Sequence, residues 1–189
     1  FPLPIEVEFG TATAFFPTNV GDFTSFQNVG DVTCNSKKLT IQTNNSYVFT
    51  RGLLDQEGIN FDNGSNWEIS CGGTINPMTM GYIEFPDAGK VNSGDVDVSQ
   101  DYILSIESAV GAPADSLYFG LYGADDYILK TVGPNVTSVT FTAAELANIG
   151  ATDFGIVQVT AYTMRTVEAN NTDFYVVNET VNSKTVKIQ

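Results

Sequence analysis

The sequence predicts an all-β protein of the sandwich or barrel kind, and three observations predict it. Between Asp115 and Met164 four short segments follow one another, at residues 117–122, 127–132, 136–142 and 154–162, each rich in β-branched and aromatic residues. Such side chains fit a pleated, half-buried surface. Each segment is bounded by Gly, Pro, Asn or Asp, which supply turns. The helical signal in this stretch is brief. Thr142 with Glu145 three residues on forms a capping box, Leu146 and Ile149 follow, and Gly150 can close the turn, so one short helical turn is expected near residues 142–149.

The earlier elements read in order. Phe1 to Phe9 opens with Pro2 and Pro4, which fix an extended arm, and then alternates Ile5, Val7 and Phe9 against Glu6 and Glu8. That is an edge strand, continued by Thr11 to Phe16 after a bend at Gly10. Residues 30–34, 39–43 and 47–50 read as strands joined by tight polar turns, a meander. Asp55 to Ser65 is a polar loop around Ile59 and Phe61, and Trp67 to Cys71 is a strand that sets the lone Trp beside a cysteine. Met78 to Phe85 leads to Pro86-Asp-Ala-Gly89, the division between an N-terminal β domain (residues 1–86) and a C-terminal sandwich (residues 87–189), if the chain is not one domain. Asp95 to Val98 and Tyr102 to Ile106 precede the four segments. A final hairpin is expected from Ile156 to Val167 and Phe174 to Val177, with a turn over 169–173, followed by a last strand at 185–188.

Composition narrows the function. The 189 residues are 42% hydrophobic, enough to bury a core. A net charge of −14 with only 8 Lys plus Arg argues against duplex nucleic acid and against an anionic membrane surface. The acidity reads as solubility and self-repulsion, with calcium binding as the sharper alternative. There is no His, which removes the commonest general base and zinc ligand. No apolar run is long enough for a transmembrane helix. The first residue is Phe rather than Met, as in a mature product freed of an export signal or an excised fragment. Cys34 and Cys71 fit one disulfide of an oxidising compartment, contributing about 4 kcal/mol in the loop-entropy model, or else two buried thiols.

The candidate sites are few. Asp55, Glu57, Asn60 and Asp62 pack oxygen ligands into a Gly-containing loop, as Ca²⁺ requires, though without EF-hand spacing, and a solvated acidic loop is the ordinary reading. Asp95, Asp97 and Asp101 suit a solvated strand edge, and Asp125-Asp126 a hairpin turn. Glycoside hydrolysis would need two carboxylates flanking a cleft, and no pair stands out; Gly-x-Ser-x-Gly, Walker and Cys-x-x-Cys motifs are missing. Trp67, Tyr82, Tyr118, Tyr122 and Tyr127 could stack on sugar rings, although alternate strand positions must also fill a core. Asn44, Asn63, Asn135, Asn170 and Asn178 begin Asn-x-Ser/Thr sequons in polar segments suited to glycosylation.

One resemblance rests on residues 101–106, 114–120, 130–132, 138–146 and 174–188, and on the Gly-x-Val-x-x-Asn-x-x-x-Leu meander at 30–39 with Tyr47. This patterning resembles the immunoglobulin-like β-sandwich domains of exported Bacteroidetes surface proteins and lipoproteins of unassigned function. It implies an immunoglobulin-like domain at an extracellular or cell-surface location, and it carries over no catalytic residues; the lipoprotein Cys does not stand at Phe1. The expected function is therefore non-enzymatic. A structural or adhesive surface protein comes first, associating with itself or another surface protein. One route is a filament built by strand exchange through Ile5, Val7 and Phe9. A carbohydrate-binding module is the alternative, with a glycan as partner. No nucleic acid and no membrane span are expected, and no cofactor beyond calcium.

Overall fold

A computed structural model describes residues 8–19, 21–52, 57–70, 75–169 and 171–189, leaving the side chain of Tyr82 outside the description. Over the described residues the chain is all-β and sandwich-like with one short helical turn. It divides into two compact units. The first takes the chain up to Glu84 together with Thr166–Phe174, and the second takes Phe85–Arg165 with Tyr175–Gln189.

In the first unit the strands are β1 (Thr13–Ala14), β2 (Val32–Cys34), β3 (Lys37–Lys38), β4 (Thr40–Ile41), β5 (Tyr47–Val48), β6 (Ser65–Ile69) and β7 (Met78–Ile83). They form two sheets, ordered β3-β2-β6-β7 and β1-β5-β4. The expected single meander is corrected here. Asn35 (φ 46°) and Ser36 (φ 63°) turn β2 tightly into β3, as a two-residue hairpin loop requires. At Leu39 the chain then leaves that sheet, and β4 pairs with β5 in the other. Burial drives the switch, because Leu39 is the one apolar residue between Lys37 and Thr40 and sits fully inside, its N–H still bonded to Val32 O at 2.9 Å. Tyr47 closes the same core: its hydroxyl accepts from Val29 N at 2.9 Å and reaches Gly30 O at 2.9 Å and Asn28 Oδ1 at 3.1 Å.

The second unit is built from β8 (Tyr102–Ser105), β9 (Ser116–Tyr122), β10 (Tyr127–Val132), β11 (Ser138–Phe141), α1 (Ala143–Leu146), β12 (Thr152–Ala169) and β13 (Thr172–Ile188), the adjoining ends of the last two falling to the first unit. One sheet runs β10-β9-β12-β13; β11 and β8 pair in another. Their inner faces share one core, in which Leu117, Phe119 and Leu121 of β9 and Val157, Val159 and Ala161 of β12 meet Leu104 and Phe141. Each large side chain buried there contributes about 1.5–3 kcal/mol. Strand alternation does the sorting, since the residues between these point outward.

The helical turn is capped as its sequence predicts. Thr142 is the N-cap, its hydroxyl accepting from Glu145 N at 3.3 Å while Glu145 Oε2 accepts from Thr142 N at 2.7 Å. Asp101 Oδ1 accepts from Ala143 N at 2.9 Å, so this carboxylate serves the helix start. Leu146 and Ile149 are buried, and Gly150 (φ 79°) follows. Lys130 binds the edge of the sandwich together: its Nζ donates to Thr140 O at 2.7 Å and Glu145 Oε2 at 2.9 Å, 5.1 Å from the Phe141 ring centroid.

The Lys130 hydrogen bond above all, with those from Thr142 N–H and hydroxyl, holds the Glu145 carboxyl down at about 2. Its folded value is thus depressed below the unfolded one near 4.5, so the stability it contributes is present above that value and is lost as pH falls toward about 2. The melting-temperature gap between the native protein and Glu145→Gln is expected to be open at pH 7 and to close between pH 4.5 and pH 2. A gap unchanged across that window would refute the assignment.

Candidate functional site

The outer face of the β10-β9-β12 ladder forms a grid whose rows follow from register. Tyr127, Tyr122 and Ile156 make one row, Leu129, Gly120 and Gln158 the next, then Thr131, Tyr118 and Thr160, and finally Ser116 with Tyr162. No charged residue occurs in this grid, on a chain of net charge −14. Two ring pairs dominate it. Tyr118 and Tyr162 stack with centroids 5.0 Å apart, and Tyr122 and Tyr127 with centroids 5.8 Å apart. The hydrogen bond Tyr118 shares with Tyr162, ahead of desolvation and the Glu179 carboxylate, raises the Tyr118 phenol above its ordinary value.

Gly120 shapes the centre of the grid. A Cβ there would lie 2.9 Å from both Leu129 Cδ2 and Tyr122 Cε2, so the missing side chain lets these two lie down across β9. Beside them Gln158 Nε2 donates to Thr160 Oγ1 at 2.9 Å. The apolar surface continues along β12 and β13. Of the thirteen large hydrophobic residues exposed among those described, eight lie on this side of the sheet: Tyr127, Leu129, Phe154, Ile156, Met164, Tyr175, Val177 and Val181. Monomeric soluble proteins rarely leave so much apolar surface open on one face, which marks an interaction face.

Two connections hold the face in place. The β9–β10 loop is pinned because Ala124 N donates to Gly150 O at 3.3 Å and Asp125 N and Asp126 N to Ile149 O at 3.1 and 3.3 Å. Asp125 and Asp126 thus occupy a hairpin turn, as expected. Asp115 ties β9 to β12, its carboxylate accepting from Met164 N at 2.7 Å and Arg165 Nη1 at 3.1 Å. The backbone hydrogen bond from Met164 is the main cause that holds its carboxyl below the usual range.

The other sequence candidates are dispersed. Tyr118, Tyr122 and Tyr127 come together, while Trp67 is half-buried on β6 opposite Cys34. Sequence reasoning missed Tyr162, Leu129 and Ile156; the signal was their period-two placement on strands already recognised. Asp97 accepts from Ser99 N, Ser99 Oγ and Gln100 Nε2 at 2.9, 2.7 and 3.0 Å, and Asp95 from Lys187 N at 2.8 Å, so both carboxylates organise local backbone. In the acidic loop Asn60 Nδ2 donates to Asp62 Oδ2 at 2.9 Å and Asn60 Oδ1 accepts from Asp62 N at 2.9 Å. Glu57 is exposed and Asp55 lies outside the described residues, among which no three Cys, Asp or Glu are gathered where one metal ion could be held.

Asn44, Asn63 and Asn135 are exposed in turns, whereas Asn178 is buried on β13, where a glycan has no room; Asn170 lies outside the described residues. Ile5 and Val7 of the proposed assembly strand also lie outside them. Phe9 is exposed under Arg51, 5.4 Å from the ring centroid, and Gly10 bridges to Gly58 of the same unit. Among the described residues no helix is long and apolar enough to cross a membrane.

Cys34 is a buried free thiol, and Cys71 lies outside the described residues. The ladder pairs Cys34 with Trp67, and Ser70 N donates to Asp31 O, so β6 runs away from Cys34 toward the position before Cys71. Burial pushes the thiol up to about 12. Since this folded value exceeds the unfolded one near 9, the thiol's contribution to stability is complete below pH 9 and is lost as pH rises toward 12. Cys34 is expected to resist alkylation in the native protein and to react fully once the chain is unfolded without reductant. Resistance in both conditions would establish a bridge to Cys71, and reaction in the native state would contradict the burial.

No family model, curated protein or solved structure matches this chain.

Proposed function

We propose that this is a non-enzymatic structural or adhesive protein of the cell surface, working through the outer face of the β10-β9-β12-β13 sheet, whose β10-β9-β12 part is uncharged. The observation that carries the reading is the concentration of exposed apolar and aromatic side chains on that one face of a strongly acidic chain. The carboxylates described above support it from the other side, because Asp97, Asp101, Asp115 and Glu145 are committed to turns, a helix start and strand connections. Labelling of intact, unpermeabilised producing cells with antibody tests the location. Beads coated with the protein test the face: Leu129→Ser should cut adhesion to those cells at least tenfold, and Ile103→Ser, exposed on β8, should not. Equal adhesion by both variants would sink the reading.

A carbohydrate-binding module is the second reading, favoured by the two tyrosine pairs and the neighbouring Gln158 and Thr160. Aromatic faces and polar groups together are what a sugar ring recognises. In the stacked pairs, however, each ring already gives one face to its neighbour. A glycan-array signal abolished by Tyr127→Ala would favour this reading, and an array without signal would remove it.

A further inference from the structure

We infer that the occupant of this face is a second copy of the chain, paired sheet to sheet, so that the adhesion proposed above is homophilic. The inference rests on that reading of the face and adds its partner. Area is the first argument. The exposed parts of the eight large hydrophobic side chains amount to roughly 800–900 Å², about what one partner contributes to a standard-sized interface, near 800 Å². Aliphatic side chains such as Leu129, Ile156 and Val181 supply much of it, and these suit another protein surface better than a hydrated sugar.

Charge is the second argument. Two chains of net charge −14 repel at long range. In a two-fold pairing each patch meets its own copy, so any charge in the patch is brought near its like. The β10-β9-β12 grid escapes that penalty, while Glu179, exposed between Val177 and Val181 on β13 and felt by Tyr118, puts one carboxylate into the β13 part of the face. Geometry is compatible: stacked sheets pack about 10 Å apart through side chains of these kinds. Added salt should strengthen the pairing by screening the long-range repulsion, rather than weaken it as it would a charge-complementary interface.

The test is sedimentation across a concentration series at two salt concentrations, with Ile156→Lys and Leu129→Lys checked for native circular dichroism. The native protein should pass from monomer to dimer mass, and each lysine should raise the dissociation constant at least tenfold. Native Met164 supplies a readout that needs no variant. It is about half exposed on this face, while Met78 and Met80 are buried, so its oxidation by peroxide should slow severalfold as the dimer forms. A protein monomeric at all concentrations, or a dimer that both lysines leave intact with Met164 still reactive, overturns the inference. A monomer whose Leu129→Ser variant nevertheless loses bead adhesion overturns only the second copy and leaves the adhesive reading standing.

Discussion

Replacing Gly123 with alanine is expected to cost about 3 kcal/mol and to lower the melting temperature by roughly 6–12 °C. The position follows Tyr122 directly, at the start of the loop into β10. A Cβ there would fall inside contact distance of the Ile149 carbonyl oxygen and 2.7 Å from that of Gly150. Both are backbone atoms, so neither can swing aside as a flexible side chain would. The loop must lift, and with it go the bonds from Ala124, Asp125 and Asp126 to residues 149 and 150. Because that loop aligns Tyr122 with Tyr127, the variant should weaken self-association along with stability. Gly133→Ala, at a glycine with nothing within 4 Å of an added Cβ, is the control. Equal melting temperatures for the two variants would contradict the account.

Tyr47→Phe is expected to cost about 2–3 kcal/mol through one lost oxygen. The phenol is fully buried and its hydroxyl accepts the N–H of Val29, itself fully buried. Its single proton lies between Gly30 O and Asn28 Oδ1. Phenylalanine fills the same space, so no cavity complicates the result. What remains is a buried backbone donor with nothing to bond, and orphaned donors cost more than the net worth of the bond. Thermal denaturation should show a fall of several degrees, whereas a shift below 1 °C would mean that water or a backbone adjustment takes over from the hydroxyl.

Local chemistry was legible and long-range pairing was not. The strand at 127–132 has the bounds the sequence predicts and that at 117–122 gains only Ser116, because alternation and turn residues mark the ends of each. The capping box at Thr142 and Glu145 could be read for the same reason. By contrast β13 runs unbroken through residues 178–184, where Asn, Glu, Ser and Lys argue for a loop. Tertiary partners override that preference: Asn182 Oδ1 accepts from Val91 N at 3.1 Å, and Lys184 Nζ donates to Ser93 O at 2.8 Å. Both partners lie about ninety residues away, beyond any local pattern. The candidate face is likewise a property of register. Each tyrosine could be placed on a strand, but that Tyr127 stands opposite Tyr122 and Tyr162 opposite Ser116 depends on which strands pair.

The ribbon of β12 and β13 gives Thr166–Phe174 to the first unit and its remaining length to the second. During synthesis the chain emerges at roughly 5–20 residues per second. The first unit therefore waits several seconds after Glu84 for its last segment, with the whole of β8 to β11 delivered in between. The second unit waits for the same ribbon, since Tyr175–Gln189 belongs to it. Both are finished by one late event, so a ribosome stalled before that hairpin holds two incomplete units rather than one mature and one nascent.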